Sequence, residues 1–324
     1  MARISKREAL NGLPDLAGPV AAMTVGEILG AVVRYQPDRK FPPTALKFAD
    51  VTIADYLQLP PSVISFLIEW FKAQQFCPGP PADYAYLFHT APNLHALYPA
   101  SFRPEFGPVF YRGRLDGTAR LLIIGQDPST DEQLANRAFV GFSGQRLQRF
   151  LEKVGLDRSY IMINTFHLGV QQGIDLDVPN ADPAVFGWRN QLLDRLVASN
   201  PIEAVLTVGS PARRAIRNYW PGSSAFLRPS RIVDIWHPSA VNFDATRTLN
   251  SWNSGLTRLA SLIATPDKPL VRAPQPYNVN GFGPSDDIPV PRRDLPFGTP
   301  SWHGAGGQTR SHRPTASEVL WTSP

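Results

Sequence analysis

The sequence is poor in cysteine and in charge, and it contains no long apolar run. Its 324 residues include one cysteine, Cys77, which excludes an internal disulfide, a cysteine-rich metal site and a four-cysteine iron–sulfur cluster. The absence of a membrane span and of an apolar signal segment predicts a cytoplasmic protein without a membrane partner. Only 18% of the residues are charged and 43% are hydrophobic, so most of the chain can form a globular core. The net charge of +5 suits a polyanionic partner but does not require one.

Composition and periodicity divide the chain into three parts. Residues 1–117 favour helices, most clearly over Ser62–Phe76 behind two prolines, and we expect a helical N-terminal extension packed on the core. Residues 118–265 alternate short apolar runs with amphipathic helical patterns. Residues 266–324 are rich in proline and glycine and have no apolar periodicity, which predicts a largely disordered tail.

The middle part predicts a parallel sheet. Short apolar runs that are typical of buried strands are separated by segments of helical periodicity. The predicted strands are Leu121–Gly125, Tyr160–Asn164, Ala204–Val208 and Ile232–Trp236. Strands that alternate with helices indicate a sheet covered on both faces. We therefore predict an α/β fold, a three-layer α/β/α domain with a central, mainly parallel four-stranded sheet.

Polar residues follow each predicted strand. Gln126 and Asp127 follow the first strand, and Asn164 ends the second. Ser210 comes shortly after the third strand, and His237 follows the fourth. Because ligands of open parallel sheets bind outside the carboxyl ends of the strands, we expect these side chains at one edge. Such a set could cleave a bond to a nitrogen heterocycle on a DNA strand, although polar residues are common at this edge in other α/β proteins.

Four short segments resemble motifs of the uracil-DNA glycosylase superfamily. GQDP (125–128) and HPS (237–239) resemble its two active-site motifs, and IMINT (161–165) resembles the strand that ends in its base-reading asparagine. AFVGFSGQRL (138–147) is similar to a stretch of the thermophile-type members. The four segments occur in the family's order, which makes the set more specific than any one motif. The resemblance covers Leu121–Ile263, under half of the chain.

The resemblance implies a monofunctional DNA glycosylase that flips uracil out of DNA and hydrolyses its glycosidic bond without a metal or other cofactor. Asp127 would stabilise the oxocarbenium-like sugar and orient the attacking water. His237 would donate a hydrogen bond to O2 of the departing uracil anion. Taken alone, each of these residues would be explained as part of a turn.

The same resemblance assigns residues that bind the base and the DNA. Asn164 would read the uracil edge, Phe139 would stack on the base, and Gln126 would contribute a backbone N–H. Pro128, Ser129, Ser210 and Ser239 are expected to contact the DNA, the three serines through its phosphates. Val241 is expected to be the apolar wedge that fills the space of the flipped base. Phe142 is the rival of Phe139 as the stacking residue, and Phe243 is the rival of Val241 as the wedge.

Some features depart from the known branches of the family. Ser129 stands where the most familiar branch has a tyrosine that blocks the methyl group of thymine. The cysteine content does not allow the iron–sulfur cluster of the thermophile-type branch. The basic run Arg213, Arg214 and Arg217 fits either phosphate contacts or a solvated helix face.

The expected partner is uracil-containing DNA, and the expected state is a monomer. One alternative function is a uracil- or abasic-site DNA-binding protein with weak or no turnover. Another is an unrelated α/β hydrolase that acts on small nucleosides, which the absence of a G-x-S-x-G nucleophile motif disfavours.

Overall fold

The computed structural model describes residues 23–35, 40–74, 77, 79–105, 107–220, 229–264, 266–268, 274–277 and 288–296. They belong to two compact units that divide between Ala85 and Tyr86. This division lies inside the range 1–117, and residues 86–117 fold with the second unit. The packing of an N-terminal extension on the core stays a prediction.

The first unit is helical. Its elements are helix α1 (Val25–Tyr35), 3-10 helices at Pro43–Phe48 and Ile53–Gln58, and helix α2 (Pro61–Gln74). A reciprocal cap begins α1: the N–H of Thr24 donates to the carboxylate of Glu27 at 2.8 Å, and the Thr24 hydroxyl accepts from the N–H of Glu27 at 3.2 Å. This arrangement satisfies backbone donors that the first helical turn leaves unpaired.

Helix α3 (Ala82–His89) begins before the division and ends after it. The second unit contains an α/β domain. Its further helices are α4 (Leu94–Leu97), α5 (Thr130–Ala135), α6 (Phe142–Lys153), α7 (Asp177–Ala181), α8 (Pro183–Ser199), α9 (Ser210–Tyr219) and α10 (Ala245–Leu262). Its strands are β1 (Phe102–Arg103), β2 (Tyr111–Gly113), β3 (Leu121–Gly125), β4 (Tyr160–Asn164), β5 (Gly169–Val170), β6 (Ala204–Val208) and β7 (Ile232–Ile235). Short 3-10 helices lie at Pro229–Arg231, Pro238–Asn242 and Arg292–Asp294.

Five strands form the central sheet in the order β2-β4-β3-β6-β7. The last four of these pair in parallel, and β2 is antiparallel to β4. The α/β fold with a mainly parallel sheet is therefore confirmed, and the sheet is one strand wider than predicted. Strand β2 has three residues, too few for a periodicity that identifies a strand.

Helices pack on both faces of this sheet. Leu121 and Ile123 of β3 share a core with apolar residues of α6 and α10. Leu122 and Ile124 alternate with them and are equally buried, so they point to the opposite face. Helix α9 lies against β3 and β6. Among the described residues, no helix is both long enough and apolar enough to span a membrane.

Part of the proline-rich tail is ordered. Tyr277, Val290 and Leu295 are buried, and Asp294 has no exposed surface. These described segments therefore pack on the domain, and the prediction of a largely disordered tail stays a prediction. Single, irregularly spaced side chains anchor the segments, which leaves no periodicity in the sequence. The remainder of the predicted tail lies outside the described residues.

Candidate active site

The carboxyl ends of the parallel strands meet at one edge of the sheet. Asp127 follows β3, Asn164 ends β4, Gly209 follows β6, and His237 comes shortly after β7. Strand β3 lies between β4 and β6, and β7 pairs with the other side of β6. Because neighbouring strands are about 4.8 Å apart, the turns after β3 and β7 are separated by two spacings, roughly 10 Å.

A glycine follows the strand between these two turns. Gly209 has φ 87°, a left-handed conformation that favours glycine. The nearest atoms to a Cβ at this position would be Cβ of His237 at 3.4 Å and Cδ of Pro211 at 3.9 Å. The residue that follows β6 therefore places no side chain beside the backbone of His237.

Two hydrogen bonds orient the carboxylate of Asp127. Its Oδ2 accepts from the N–H of Val170 at 2.8 Å, and its Oδ1 accepts from Nε2 of Gln126 at 2.9 Å. Val170 belongs to β5, which pairs with β1 so that Gly169 lies opposite Arg103. A two-stranded sheet outside the central sheet therefore holds the predicted catalytic carboxylate.

The charge of Asp127 is subject to opposing influences. Burial raises the pKa of Asp127, while the hydrogen bonds from Val170 and Gln126 and the positive charge of Arg103 lower it. Arg103 lies close by: one of its terminal nitrogens would be 2.7 Å from a Cβ added to Gly169. No motif marks Arg103 or Val170 in the sequence, because each belongs to a strand of two residues.

Thr165 fixes the backbone of the turn after β3. Its N–H and its hydroxyl both donate to the carbonyl of Gly125, at 2.9 and 2.7 Å. The N–H of Phe166 donates to the carbonyl of Gln126 at 2.9 Å. The chain after β4 thus holds the GQDP turn in place. From the sequence, Thr165 is recognised only as the last residue of the IMINT segment, with no role of its own.

Asn164 and Phe139 reach the same point at the end of β3. A Cβ added to Gly125 would lie 2.2 Å from Cζ of Phe139 and 2.5 Å from Oδ1 of Asn164. Asn164 is 8% exposed, and within the described part of the chain its side-chain amide makes no hydrogen bond. The structure therefore brings together two of the three predicted base-binding residues, and the third, Gln126, directly follows Gly125.

Phe139 lies in a strained turn that a glycine makes possible. Its φ is 56°, a left-handed conformation that is uncommon for a bulky residue. Gly144, in the first turn of α6, lies so close that a Cβ there would be 1.5 Å from the carbonyl oxygen of Phe139. The spacing of Phe139 and Gly144 in the FVG-x-x-G segment thus has a steric basis. The rival Phe142 is half-buried at the start of α6.

His237 is held as a neutral ring with a defined tautomer. Its Nδ1 lies 2.6 Å from Oγ of Ser239 and 3.3 Å from the backbone nitrogen of Ser239. A backbone N–H can only donate, so Nδ1 accepts and the neutral ring carries its proton on Nε2. Burial lowers the pKa of His237 to about 4, which keeps the ring neutral near pH 7.

The predicted DNA-contacting residues differ in their exposure and in whether their polar groups already form hydrogen bonds within the protein. Ser210 is exposed at the start of α9. Ser129 is exposed but caps α5, where its hydroxyl and its N–H both donate to the carboxylate of Glu132. The hydroxyl of Ser239 contacts His237. Pro128 is buried and offers no N–H.

The two candidates for the apolar wedge lie in different environments. Val241 is half-buried and packs against the main core. Phe243 follows the 3-10 helix Pro238–Asn242 and is 91% exposed. A large aromatic side chain with this exposure gains nothing from packing within the described residues.

The basic run on α9 is partly neutralised. Arg214 pairs with Asp177 at 2.8 Å, and Nε of Arg217 donates to Asp234 at 3.0 Å. Arg213 is exposed. Two of the three guanidinium groups therefore have carboxylate partners on the protein, which favours the interpretation of this run as a solvated face.

The described residues contain no cluster of three His, Cys, Asp or Glu side chains that could hold a metal ion. The one cysteine, Cys77, is buried and forms no disulfide.

Residues 112–256 match the family model of the uracil DNA glycosylase superfamily. This domain belongs to the uracil DNA glycosylase superfamily. The matched range runs from β2 into α10 and contains the GQDP, FVG-x-x-GQ, IMINT and HPS segments. Membership of the superfamily supports a DNA glycosylase function, that is, a hydrolase of DNA repair whose binding partner is DNA.

The match to the superfamily covers under half of the chain. It leaves out the first unit, strand β1 with Arg103, and the tail segments. Some groups that surround the site are therefore contributed by parts of this chain outside the superfamily match.

Proposed function

We propose that the protein is a monofunctional uracil-DNA glycosylase, which flips uracil from DNA and hydrolyses its N-glycosidic bond to leave an abasic site. The observation that carries this proposal is the convergence of Asn164 and Phe139 on Gly125, next to a carboxylate held by Val170. A base reader, an aromatic ring and a desolvated carboxylate at one strand end are the groups that base excision needs.

Asn164 suits the recognition of uracil over cytosine. Its amide is free of protein partners within the described residues, so it can donate to O4 and accept from N3–H of the base. Cytosine presents the reverse pattern on the same edge, with an amino group at C4 and a lone pair on N3. The wrong base would leave buried polar groups unpaired, which is the basis of strong discrimination.

Phe139 supplies an aromatic ring at a fixed position. The strained turn and the contact with Gly144 restrict the backbone of Phe139. A ring that is already ordered loses little entropy when a base stacks on it. Stacking of this kind contributes roughly 1–3 kcal/mol per base.

Asp127 acts on the sugar. As the bond between C1′ and N1 breaks, its electron pair leaves with the base and positive charge develops on the sugar. A carboxylate beside C1′ stabilises this charge and orients a water, whose oxygen bonds to C1′ while its proton passes to the carboxylate. The hydrogen bonds from Val170 and Gln126 hold the carboxylate, and Arg103 favours its ionised form.

His237 stabilises the leaving group. The N–H of Nε2 on a neutral ring donates a hydrogen bond to O2 of the uracil anion. A low pKa suits this role, because the ring remains a neutral donor throughout the physiological pH range. Gly209, which follows β6, adds no side chain beside His237, and this favours the approach of a flat base to the ring.

Phe243 is the better candidate for the wedge that fills the space of the flipped base. Its exposed ring follows the segment of His237, whereas insertion of Val241 would remove it from the core. Apolar side chains that enter a base stack compensate for the unstacking of the duplex. Ser129, Ser210 and Ser239 remain the proposed phosphate contacts, with Ser210 the most accessible hydroxyl.

The proposal is tested with oligonucleotides that carry one deoxyuridine, deoxycytidine or thymidine at the same position. We expect release of free uracil and an alkali-labile abasic site from the first oligonucleotide, and no release of cytosine. The substitution Asn164→Ala should reduce uracil excision far more than it reduces binding of abasic DNA. Tight binding of uracil-containing DNA without base release would instead support a DNA-binding protein with little turnover.

A further inference from the structure

A segment of the tail lies on the turn that carries Phe139. Val290 and Leu295 are 4% and 3% exposed, and they form a small core with Ala135 and Val140. Ala135 ends α5, and Val140 directly follows Phe139. The apolar contacts of the turn before α6 are thus completed by residues far along the chain, beyond the range that matches the superfamily.

A buried carboxylate anchors this segment to the central sheet. Asp294 has no exposed surface, and its Oδ1 accepts from Arg114 at 2.8 Å. Its Oδ2 accepts from the hydroxyl of Tyr160 at 2.6 Å and lies 3.7 Å from Nε of the fully buried Arg112. Removing one partner of a buried charge pair leaves the other uncompensated, which is strongly destabilising. The sheet therefore fixes the position of Asp294 and of its neighbour Leu295.

Helix α6 links the segment to the same turn from a second direction. The N–H of Ile288 donates to the carbonyl of Gln145 at 3.4 Å. The side-chain amide of Gln145, itself fully buried, donates to the carbonyl of Val140 at 3.4 Å. Both ends of residues 288–296 are thus connected to the turn or to the sheet beneath it.

We propose that residues 288–296 are a positioning element of the active site, in which Val290 and Leu295 hold the Phe139 turn in its left-handed conformation. The strained φ of Phe139 persists only where surrounding contacts enforce it, and these two side chains cover the next residue, Val140. The consequence for catalysis rests on the proposed function, because it requires Phe139 to stack on the base. The consequence for the turn does not.

Hydrogen exchange tests the effect on the turn without any substrate. We compare the full-length protein with the Val290→Ala/Leu295→Ala variant and with Pro289→Ala, whose side chain is exposed in the same segment. Amides of residues 136–141 should exchange at least about 10-fold faster in the double variant, because opening of this turn no longer has to break the packing of Val290 and Leu295 on Val140. Amides of β3 should be unchanged, and Pro289→Ala should match the wild type. If the double variant is unfolded, Leu295→Ala alone serves the same comparison. Unaltered exchange of 136–141 in a folded variant would overturn the proposal.

Single-turnover kinetics test whether the segment acts through Phe139. In the wild-type background, we expect the double substitution to lower the rate of uracil release about 10-fold, with a smaller effect on DNA binding. In a Phe139→Ala background, the same substitution should lower the rate less than about 2-fold, since coupled residues are not additive. Leu295→Met should retain the wild-type rate. If the double substitution lowers the rate by the same factor in both backgrounds, the segment does not act through Phe139. A wild-type protein that is inactive on uracil would contradict the proposed function, and the hydrogen-exchange result would then decide the proposal about the turn.

Discussion

The ring of Phe139 and the amide of Asn164 converge on the glycine that ends β3. Cζ of Phe139 and Oδ1 of Asn164 lie 2.2 and 2.5 Å from the position of a Cβ on Gly125. Gly125 has no side chain, and this allows the stacking residue and the base-reading residue of the proposed pocket to lie next to each other. Any atom added at Gly125 displaces one of them.

The first prediction concerns Gly125. The substitution Gly125→Ala should lower the single-turnover rate of uracil excision by about 100-fold, because a displacement of this size in a positioning residue has effects of that order. The free energy of unfolding should fall by about 1–3 kcal/mol, the usual cost of overpacking. Quenched-flow excision assays and urea denaturation measure the two effects.

Gly187 provides the matched control for this substitution. It lies within α8, and a Cβ there would have no neighbour within 4 Å. Gly187→Ala should leave excision unchanged and raise the free energy of unfolding by about 0.5–1 kcal/mol, since alanine is the better helix former. Equal excision rates for Gly125→Ala and the wild type would contradict the pocket at the end of β3.

The second prediction concerns the tautomer of His237. Nitrogen-15 NMR of histidine-labelled protein at pH 7 should show a protonated Nε2 and an unprotonated Nδ1, because Nδ1 accepts from Ser239. The ring should titrate with a pKa of about 4, as a result of its burial. A ring that is protonated on Nδ1 could not donate from Nε2 to O2 of uracil, and a ring that titrates near 6.5 would contradict the burial of His237.

The third prediction concerns stability in acid. Burial lowers the pKa of His167 to about 4, and its Nε2 donates to the carbonyl of Pro92 at 3.0 Å. Between pH 6.5 and 4 the unfolded chain therefore binds a proton that the folded protein excludes. The free energy of unfolding should fall as the pH decreases through this range, by up to roughly 3 kcal/mol from His167.

Denaturation curves at several pH values check this effect. His167→Phe keeps an aromatic ring beside Phe110 and Trp188, which lie 5.4 and 5.1 Å from the imidazole. The variant should show a shallower decline of stability between pH 6.5 and 4, with the remaining slope partly due to His237, whose pKa is lowered in the same direction. An identical slope in both proteins would contradict a neutral, buried His167.

The fourth prediction concerns the wedge. Phe243→Ala should lower excision from double-stranded DNA about 10-fold and leave excision from single strands nearly unchanged, because only the duplex needs its stack refilled. Its melting temperature should equal that of the wild type, since the side chain is 91% exposed. Val241→Ala should show the opposite pattern, a loss of stability of about 1 kcal/mol without a preference between the two substrates. A duplex-selective loss for Val241→Ala would reverse the assignment.

The four parallel strands and their ends could be predicted from the sequence. Each is a short and mostly apolar run, and Leu121–Gly125 is apolar throughout, which is typical of a strand in a sheet that is buried on both faces. Topology then determines that Asp127, Asn164 and His237 share one edge, because parallel strands end on the same side. The family motifs supplied the roles of these residues, which physical pattern alone left open.

The remaining parts of the site could not be predicted, because they depend on contacts that leave no local pattern. Arg103 and Val170 act on Asp127 from two-residue strands, too short for any periodicity. Leu295 and Asp294 pack on the domain from a proline-rich segment whose composition predicts disorder. Their anchoring comes from a buried charge pair and a few apolar contacts, which only the tertiary structure reveals.

The most direct test of the central claim compares the wild type with Asp127→Asn on an oligonucleotide that carries one deoxyuridine, under single-turnover conditions. The wild type should release uracil, and the variant should be slower by about 100-fold or more, since it cannot stabilise the sugar cation. A thermal melt of the variant at pH 7 checks that it is folded. A folded Asp127→Asn variant that releases uracil at the wild-type rate would contradict the account.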